Sequence, residues 1–126
     1  MQMLFQADLG RQTPDEVQAT FWKSGDPVEP EVRGFAEDIF RVAKVEQPKI
    51  DALIAEHSTH WRIERMPAVD RNLLRMAVAE LIGFKSTPFP IVINEALEIG
   101  RRYCAPESIN FLNGVLDSIA RSLIAQ

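Results

Sequence analysis

The sequence contains few of the residues that form crosslinks or membrane anchors. Its one cysteine, Cys104, excludes a disulfide within the chain and fits a reducing compartment such as the cytoplasm. No apolar run approaches the roughly 20 residues that a membrane-spanning helix needs. The first residues also lack the charged and apolar regions of a signal peptide. We therefore expect a cytoplasmic protein that does not enter a membrane.

A basic excess is also missing. The chain has 14 Lys and Arg residues against 18 Asp and Glu, a net charge of −4 and a pI near 5.2. This balance argues against a broad nucleic-acid-binding surface, which needs a positive face. With 126 residues, 46% of them hydrophobic, the chain is long enough for one buried core. We predict a single domain over residues 1–126.

Residue patterns of catalysis and metal binding are scarce. His57 and His60 are three apart, but a zinc site needs three or four ligands and no further ligand stands nearby. Cys104 lacks a histidine partner; Arg101 and Arg102 would lower its pKa, yet a structural cysteine is the favoured interpretation. There is no phosphate-binding glycine loop and no nucleophile elbow. We predict a protein without catalytic activity, metal or cofactor.

What the sequence does contain is helical periodicity. Apolar residues recur at spacings of three and four, which predicts an all-α bundle of about seven helices. The predicted helices cover residues 1–9, 13–24, 31–44, a segment after a break at Glu46–Gln47 to 57, 67–84, 90–103 and 108–123. Pro48 causes the predicted break, and Ser108 is the predicted cap of the last helix. The third helix should direct Phe35, Ile39, Val42 and Ala43 inward.

Polar residues interrupt the apolar faces of the last three helices. A buried carboxylate or amide is costly unless it is hydrogen-bonded. We therefore predict a buried polar network drawn from Arg75, Glu80, Asn94, Glu95 and Asn113. The alternative is a surface ion pair of Arg75 with Glu95, which would contribute little. Gly114, next to Asn113, should let another helix approach closely, because it has no Cβ.

Phe111 lies off the apolar stripe of the last helix, close to its start at Ser108. One interpretation is that its ring stacks on a base while the helix terminus accepts a phosphate. The other is that Phe111 packs against the preceding helix. The residues alone leave both interpretations open.

Four stretches together resemble one family: "QMLFQADLG", "ERMPAVDRNLLRMAVAEL", "PIVINEALEIGRRY" and "ESINFLNGVLD". In order and spacing they are similar to the bacterial transcription antitermination factor family NusB (N-utilisation substance B). The resemblance implies two packed three-helix subdomains. It also implies binding of a boxA-type RNA element together with NusE, a small-subunit ribosomal protein. That assembly acts on RNA polymerase and promotes read-through of ribosomal RNA operons.

The resemblance also implies roles for individual residues. RNA binding would involve the start of the last helix and a residue near the N-terminus. The positions carried over are Glu107, Ser108, Asn110, Phe111 and Gln2. Phe5 and Asp70 match positions that contact NusE.

The sequence departs from the family at two points. Family members have several Arg and Lys residues before the "QMLFQ"-like stretch, and here that basic segment is missing. Asn110 stands where a basic residue would suit RNA better. Two other functions stay open: a helical accessory domain of a ribosomal RNA cytosine methyltransferase, and an adaptor that binds only proteins. A homodimer is also left open.

Overall fold

The computed structural model describes residues 2–10, 30–58 and 62–124, which form six α-helices and no strand. The helices are α1 (Gln2–Gly10), α2 (Pro30–Val45), α3 (Gln47–His57), α4 (Ala68–Gly83), α5 (Phe89–Tyr103) and α6 (Ser108–Ile124), with a short 3-10 turn at Ile63–Arg65. The prediction of an all-α fold is confirmed. The expected helix over residues 13–24 and His60 lie outside the described ranges. No helix within those ranges combines the length and apolar character needed to cross a membrane.

Helix α4 is the centre of the bundle. It contacts each of the other five described helices. Its fully buried apolar side chains are Leu73, Leu74, Ala77, Val78 and Ala79. A single apolar stripe, as predicted for this segment, would bury only one side. Instead α4 is enclosed on nearly all sides by α1, α3, α5 and α6 together with α2, so it carries the core.

Proline and glutamate end and restart helices where the sequence predicts. Helix α2 ends at Val45, and α3 begins at Gln47 with Pro48 in its first turn. The Glu46 amide donates to the Val42 carbonyl at 2.9 Å, and the Ile50 amide donates to the Glu46 carbonyl at 2.9 Å. Pro48 fits because the first amides of a helix have no partner within that helix. The predicted break at Glu46–Gln47 is confirmed.

A buried ionic network joins α1 and α3 to α4. The Arg75 guanidinium bonds both carboxylate oxygens of Asp51 on α3, at 2.9 and 3.0 Å. It also contacts the Asp8 carboxylate on α1 at 3.3 Å and the Asn72 side-chain oxygen at 3.1 Å. Asp8 accepts further bonds from Arg71 and Asn72. These bonds more than offset the burial of the Asp8 carboxylate, so its pKa is lowered.

This network corrects the one predicted from the sequence. Asn94, Glu95 and Asn113 are exposed, and Arg75 bonds acidic residues on α1 and α3 rather than anything on α5 or α6. Glu80 is buried, as predicted. Its pKa is raised by burial and then by the negative charge of Glu95. Helical periodicity placed Arg75 and Glu80 on buried faces, but it could not identify which helix would lie opposite them.

The glycine that allows a close helix approach is Gly100, and the expectation for Gly114 is wrong. A Cβ on Gly114 would meet nothing within 4 Å, and the residue is exposed. A Cβ on Gly100 would lie 3.2 Å from Ile109 Cδ1 and 3.2 Å from Leu73 Cδ2. Gly100 therefore lets α5 pack tightly against α4 and α6.

Phe35 is the other correction on α2. Ile39 and Ala43 are buried and Val42 is half-buried, as expected, but Phe35 is 47% exposed and Phe40 is buried in its place. The Phe35 ring packs edge-on against Phe84, with 5.3 Å between ring centroids. Phe84 follows the last residue of α4, so Phe35 lies at the end of the core.

Candidate nucleic-acid interface

A pocket of about 330 Å³ lies between the start of α4 and the start of α6. We call it the α4–α6 pocket. Its walls are formed by Arg65, Met66, Pro67, Asp70, Ala105, Glu107, Ser108 and Phe111. Three of the residues assigned to RNA binding, Glu107, Ser108 and Phe111, therefore meet at one place. Asp70, assigned to the protein partner, lies in the same pocket, so the two predicted sites are not separate surfaces.

The chain turns sharply from α5 into α6 and so forms one wall of this pocket. Helix α5 ends at Tyr103, and Cys104 is extended, with φ −100° and ψ 159°. The Ser108 amide donates to the Ala105 carbonyl at 2.9 Å, and the Ile109 amide donates to the Pro106 carbonyl at 3.3 Å. Two amides at the start of α6 are thus already bonded. This weakens the expectation that the helix terminus accepts a phosphate.

Phe111 is half-buried and contributes its side chain to the pocket wall. It also packs against the hydrophobic core. Both interpretations of the sequence therefore hold in part: the ring packs against its neighbours and also borders an open cavity. An aromatic side chain that is fixed by the core is suited to stacking, because little side-chain entropy remains to be lost on binding.

Asp70 and Cys104 form a bonded pair in the pocket. Asp70 is 4% exposed, on the first turn of α4. The Cys104 thiol donates a hydrogen bond to the Asp70 carboxylate. Burial, that hydrogen bond and the carboxylate charge raise the pKa of Cys104 to about 12. The expected lowering by Arg101 and Arg102 does not occur, because a carboxylate is the closer charge; Cys104 is a structural thiol.

The start of α1 reaches the end of α5 beside the pocket. The Gln2 side-chain amide lies 3.5 Å from the Tyr103 hydroxyl, a long hydrogen bond. Tyr103 is 52% exposed and stands two residues before Ala105 of the pocket wall. The predicted RNA residue Gln2 is thus near the others. The side chain of Phe5 lies outside the described part of the structure.

Sequence reasoning missed Tyr103 and the wall formed by Arg65 and Met66. Tyr103 is the chain's single tyrosine and ends an amphipathic helix beside a Pro-containing turn, a signal that could have identified it. Arg65 and Met66 had no such signal, because they follow a 3-10 turn that the apolar periodicity does not show. Asn110 is exposed and is not part of the pocket wall.

The charges around the pocket are mixed. Asp70 and Glu107 are acidic, and Arg65 is an exposed basic residue on the wall. Arg62 and Arg102 are exposed nearby in the sequence, and Arg101 forms an ion pair with Glu98 at 2.6 Å. Such a site offers a ring face and polar edges to an unstacked base, with modest attraction for phosphate.

The histidines do not form a metal site in the ranges that the structure covers. No group of three or more potential metal ligands comes together there. His57 Nδ1 lies 2.6 Å from the Ser118 hydroxyl oxygen and so connects α3 to α6.

A second cavity, of about 360 Å³, lies near the far end of α4. Its walls are formed by Leu81, Lys85, Thr87, Pro88, Phe89, Ala120, Leu123 and Ile124. We call it the distal groove. None of the residues assigned to RNA or partner binding belongs to it.

Comparison with known proteins identifies the family. A family model described as the NusB family matches residues 1–121. A transcription antitermination protein NusB of Koribacter versatilis is 57% identical over 126 residues, which is all of this chain and 86% of that protein.

Two solved structures share the fold. A NusB structure from T. maritima has a TM-score of 0.85 and 33% identity, covering 95% of this chain and 84% of that one. A crystal structure of the antitermination factors NusB and NusE in complex with dsRNA has a TM-score of 0.86 and 28% identity, covering 95% and 89%. These similarities support the all-α fold and the family resemblance of the four sequence stretches.

Proposed function

Because this chain belongs to the NusB family of transcription antitermination proteins, we propose that it binds boxA-type RNA together with NusE and promotes read-through of ribosomal RNA operons. The observation that carries the proposal is the α4–α6 pocket. It gathers Phe111, Ser108 and Glu107 on one wall, and the Gln2–Tyr103 contact lies beside it. An aromatic wall at the surface is what an unstacked base needs.

The partnership with NusE has support from a relative. The solved complex of NusB and NusE with dsRNA has the same fold as this chain. We propose NusE as the protein partner here, in a cytoplasmic antitermination complex on RNA polymerase. Contact through Phe5 and Asp70 stays a prediction. The low exposure of Asp70 would limit its contact area with a protein.

The alternatives are less well supported. The relatives are named as antitermination proteins and match this chain along most of their own length, which favours that function over a methyltransferase accessory domain. Family membership makes the chain a non-enzyme, consistent with the sequence prediction. An adaptor that binds only proteins would leave the aromatic wall of the pocket without a role.

Phe111→Ala tests the RNA proposal. We expect the variant to bind fluorescently labelled boxA-type RNA more weakly by about 1–3 kcal/mol, since it loses one stacking contact. The salt dependence should stay nearly unchanged, because no phosphate contact is lost. Anisotropy titrations at several salt concentrations measure both quantities.

Phe35→Ala is the matched control. It also removes an exposed phenylalanine ring, but from α2, outside the pocket. Circular dichroism establishes that both variants are folded. Unchanged RNA affinity in folded Phe111→Ala would contradict the assigned role of the ring. Retained NusE binding without any RNA binding by the wild type would favour the adaptor.

A further inference from the structure

Asp70 is a buried acid that has few partners among the described residues. It is 4% exposed, and Cys104 donates a hydrogen bond to its carboxylate. The nearby Arg71 and Arg75 pair with Asp8 and Asp51 instead, and no ion pair to Asp70 is found in the described ranges. A carboxylate has about four acceptor positions, and a thiol is a weak donor. Most of the acceptor capacity of Asp70 is therefore unused.

The position of this acid restricts which ligand could use it. Asp70 lines the α4–α6 pocket together with the Phe111 side chain and the apolar Met66 and Pro67. A phosphate would be repelled by Asp70 and Glu107. A nucleobase is neutral, and its edge can donate hydrogen bonds while its face stacks on a ring.

We propose that the α4–α6 pocket receives one unstacked RNA base that carries an exocyclic amino group, with Phe111 stacking on the base and Asp70 accepting from the amine. This inference rests on the proposed RNA-binding function and adds base selectivity to it. Carboxylates accept hydrogen bonds from the N4 amine of cytosine. Uracil presents an oxygen at that position, which would leave two acceptors facing each other and unpaired.

Arg65 fits the same arrangement. It is exposed on the pocket wall, at the end of the 3-10 turn that precedes α4. From there its guanidinium can contact the phosphate next to the inserted base, while Asp70 reads the base edge. Selectivity then depends on Asp70, whereas Arg65 contributes affinity that is independent of the base.

Two single-stranded RNAs of equal length and charge test the proposal: labelled oligocytidylate and oligouridylate of 12 nucleotides. Wild-type protein should bind the cytidine RNA at least about fivefold more tightly, the lower limit for one well-placed base contact. An oligomer of N4,N4-dimethylcytidine, which has no amine hydrogen, should bind as weakly as the uridine RNA. That comparison needs no protein variant and so does not depend on a variant folding.

Asp70→Asn provides the second test, because an amide can both donate and accept. The ratio of cytidine to uridine affinity should fall toward 1. Glu64→Gln, an exposed residue of the neighbouring 3-10 turn, removes the same charge and should leave the ratio as in the wild type.

The outcomes separate the two proposals. Equal affinity of the wild type for both RNAs, or an unchanged ratio in folded Asp70→Asn, would overturn the base pocket while RNA binding stands. Absence of binding to any RNA, boxA-type included, would overturn both. If Asp70→Asn weakens NusE binding and leaves the ratio unchanged, Asp70 serves the protein partner, and the pocket does not select a base.

Discussion

At the scale of single residues, Gly100 and Gly114 look alike in the sequence and differ in the structure. Both interrupt helices, where glycine costs up to about 1 kcal/mol relative to alanine. Gly100 faces Ile109 and Leu73 in the packed interior, whereas Gly114 faces open space. Only the first gains packing from its missing Cβ.

The two glycines should therefore respond oppositely to substitution. Gly100→Val should destabilise the fold by about 1–3 kcal/mol, because the added methyl groups overpack the contact between α5 and α6. Gly114→Ala should stabilise it by about 0.5–1 kcal/mol through helix propensity. Urea denaturation of both variants measures the difference. Equal effects would contradict the packing described for Gly100.

Glu80 gives a prediction about pH. Its pKa is raised above the ordinary value of 4.5 by burial and by Glu95, so in the window above that value the folded protein holds a proton that the unfolded chain releases. The contribution of Glu80 to stability is therefore complete below pH 4.5 and is lost as pH rises through the raised pKa.

Glu80→Gln imitates the protonated form and should remove this dependence. The variant should be more stable than the wild type at pH 7, and the difference should shrink as pH falls toward 4.5. Thermal melts across this range measure it. Asp8, whose pKa is lowered, acts in the opposite direction but is present in both proteins. A constant difference at all pH values would show that ionisation of Glu80 is not responsible.

At the scale of helices, proline and periodicity predicted most of the elements. The break before Pro48, the start of α5 near Pro90 and the start of α6 at Ser108 agree with the structure within about two residues. Their contacts were less predictable. Arg75 bonds Asp51 and Asp8, which lie 24 and 67 positions away in the sequence, and no local pattern encodes such distances.

The Arg75–Asp51 pair fixes α3 against α4. Asp51→Ala should destabilise the fold by about 1.5–3 kcal/mol, because it removes two charge-assisted bonds and leaves Arg75 only partly paired. The exposed Arg121–Asp117 pair at 2.9 Å is a suitable comparison, with side chains 70% and 43% exposed. Asp117→Ala should cost less than about 0.5 kcal/mol. Equal shifts in the urea midpoint would contradict a structural role for the buried network.

At the scale of the whole molecule, the sequence identified the family and the general position of the site, and the structure changed the composition of that site. Phe111, Ser108 and Glu107 meet in one pocket, as their spacing at the start of α6 allows. Asp70 and Arg65 join them from around the start of α4, which only the tertiary packing of α4 against α6 brings close. The same packing turned two expected surfaces into one.

The acidic composition and the pocket are compatible. A net charge of −4 argues against broad electrostatic binding, whereas one aromatic pocket with a few arginines nearby requires no broad positive face. RNA binding by this chain should therefore depend more on stacking and base contacts than on counterion release.

The most direct test of where RNA binds is photo-crosslinking with boxA-type RNA that carries 4-thiouridine at successive positions, followed by mass spectrometry of the crosslinked peptides. We expect crosslinks within residues 65–70 and 103–111, around the α4–α6 pocket. Crosslinks concentrated instead at residues 81–89 and 120–124, around the distal groove, would contradict the central claim that RNA is held between the start of α4 and the start of α6.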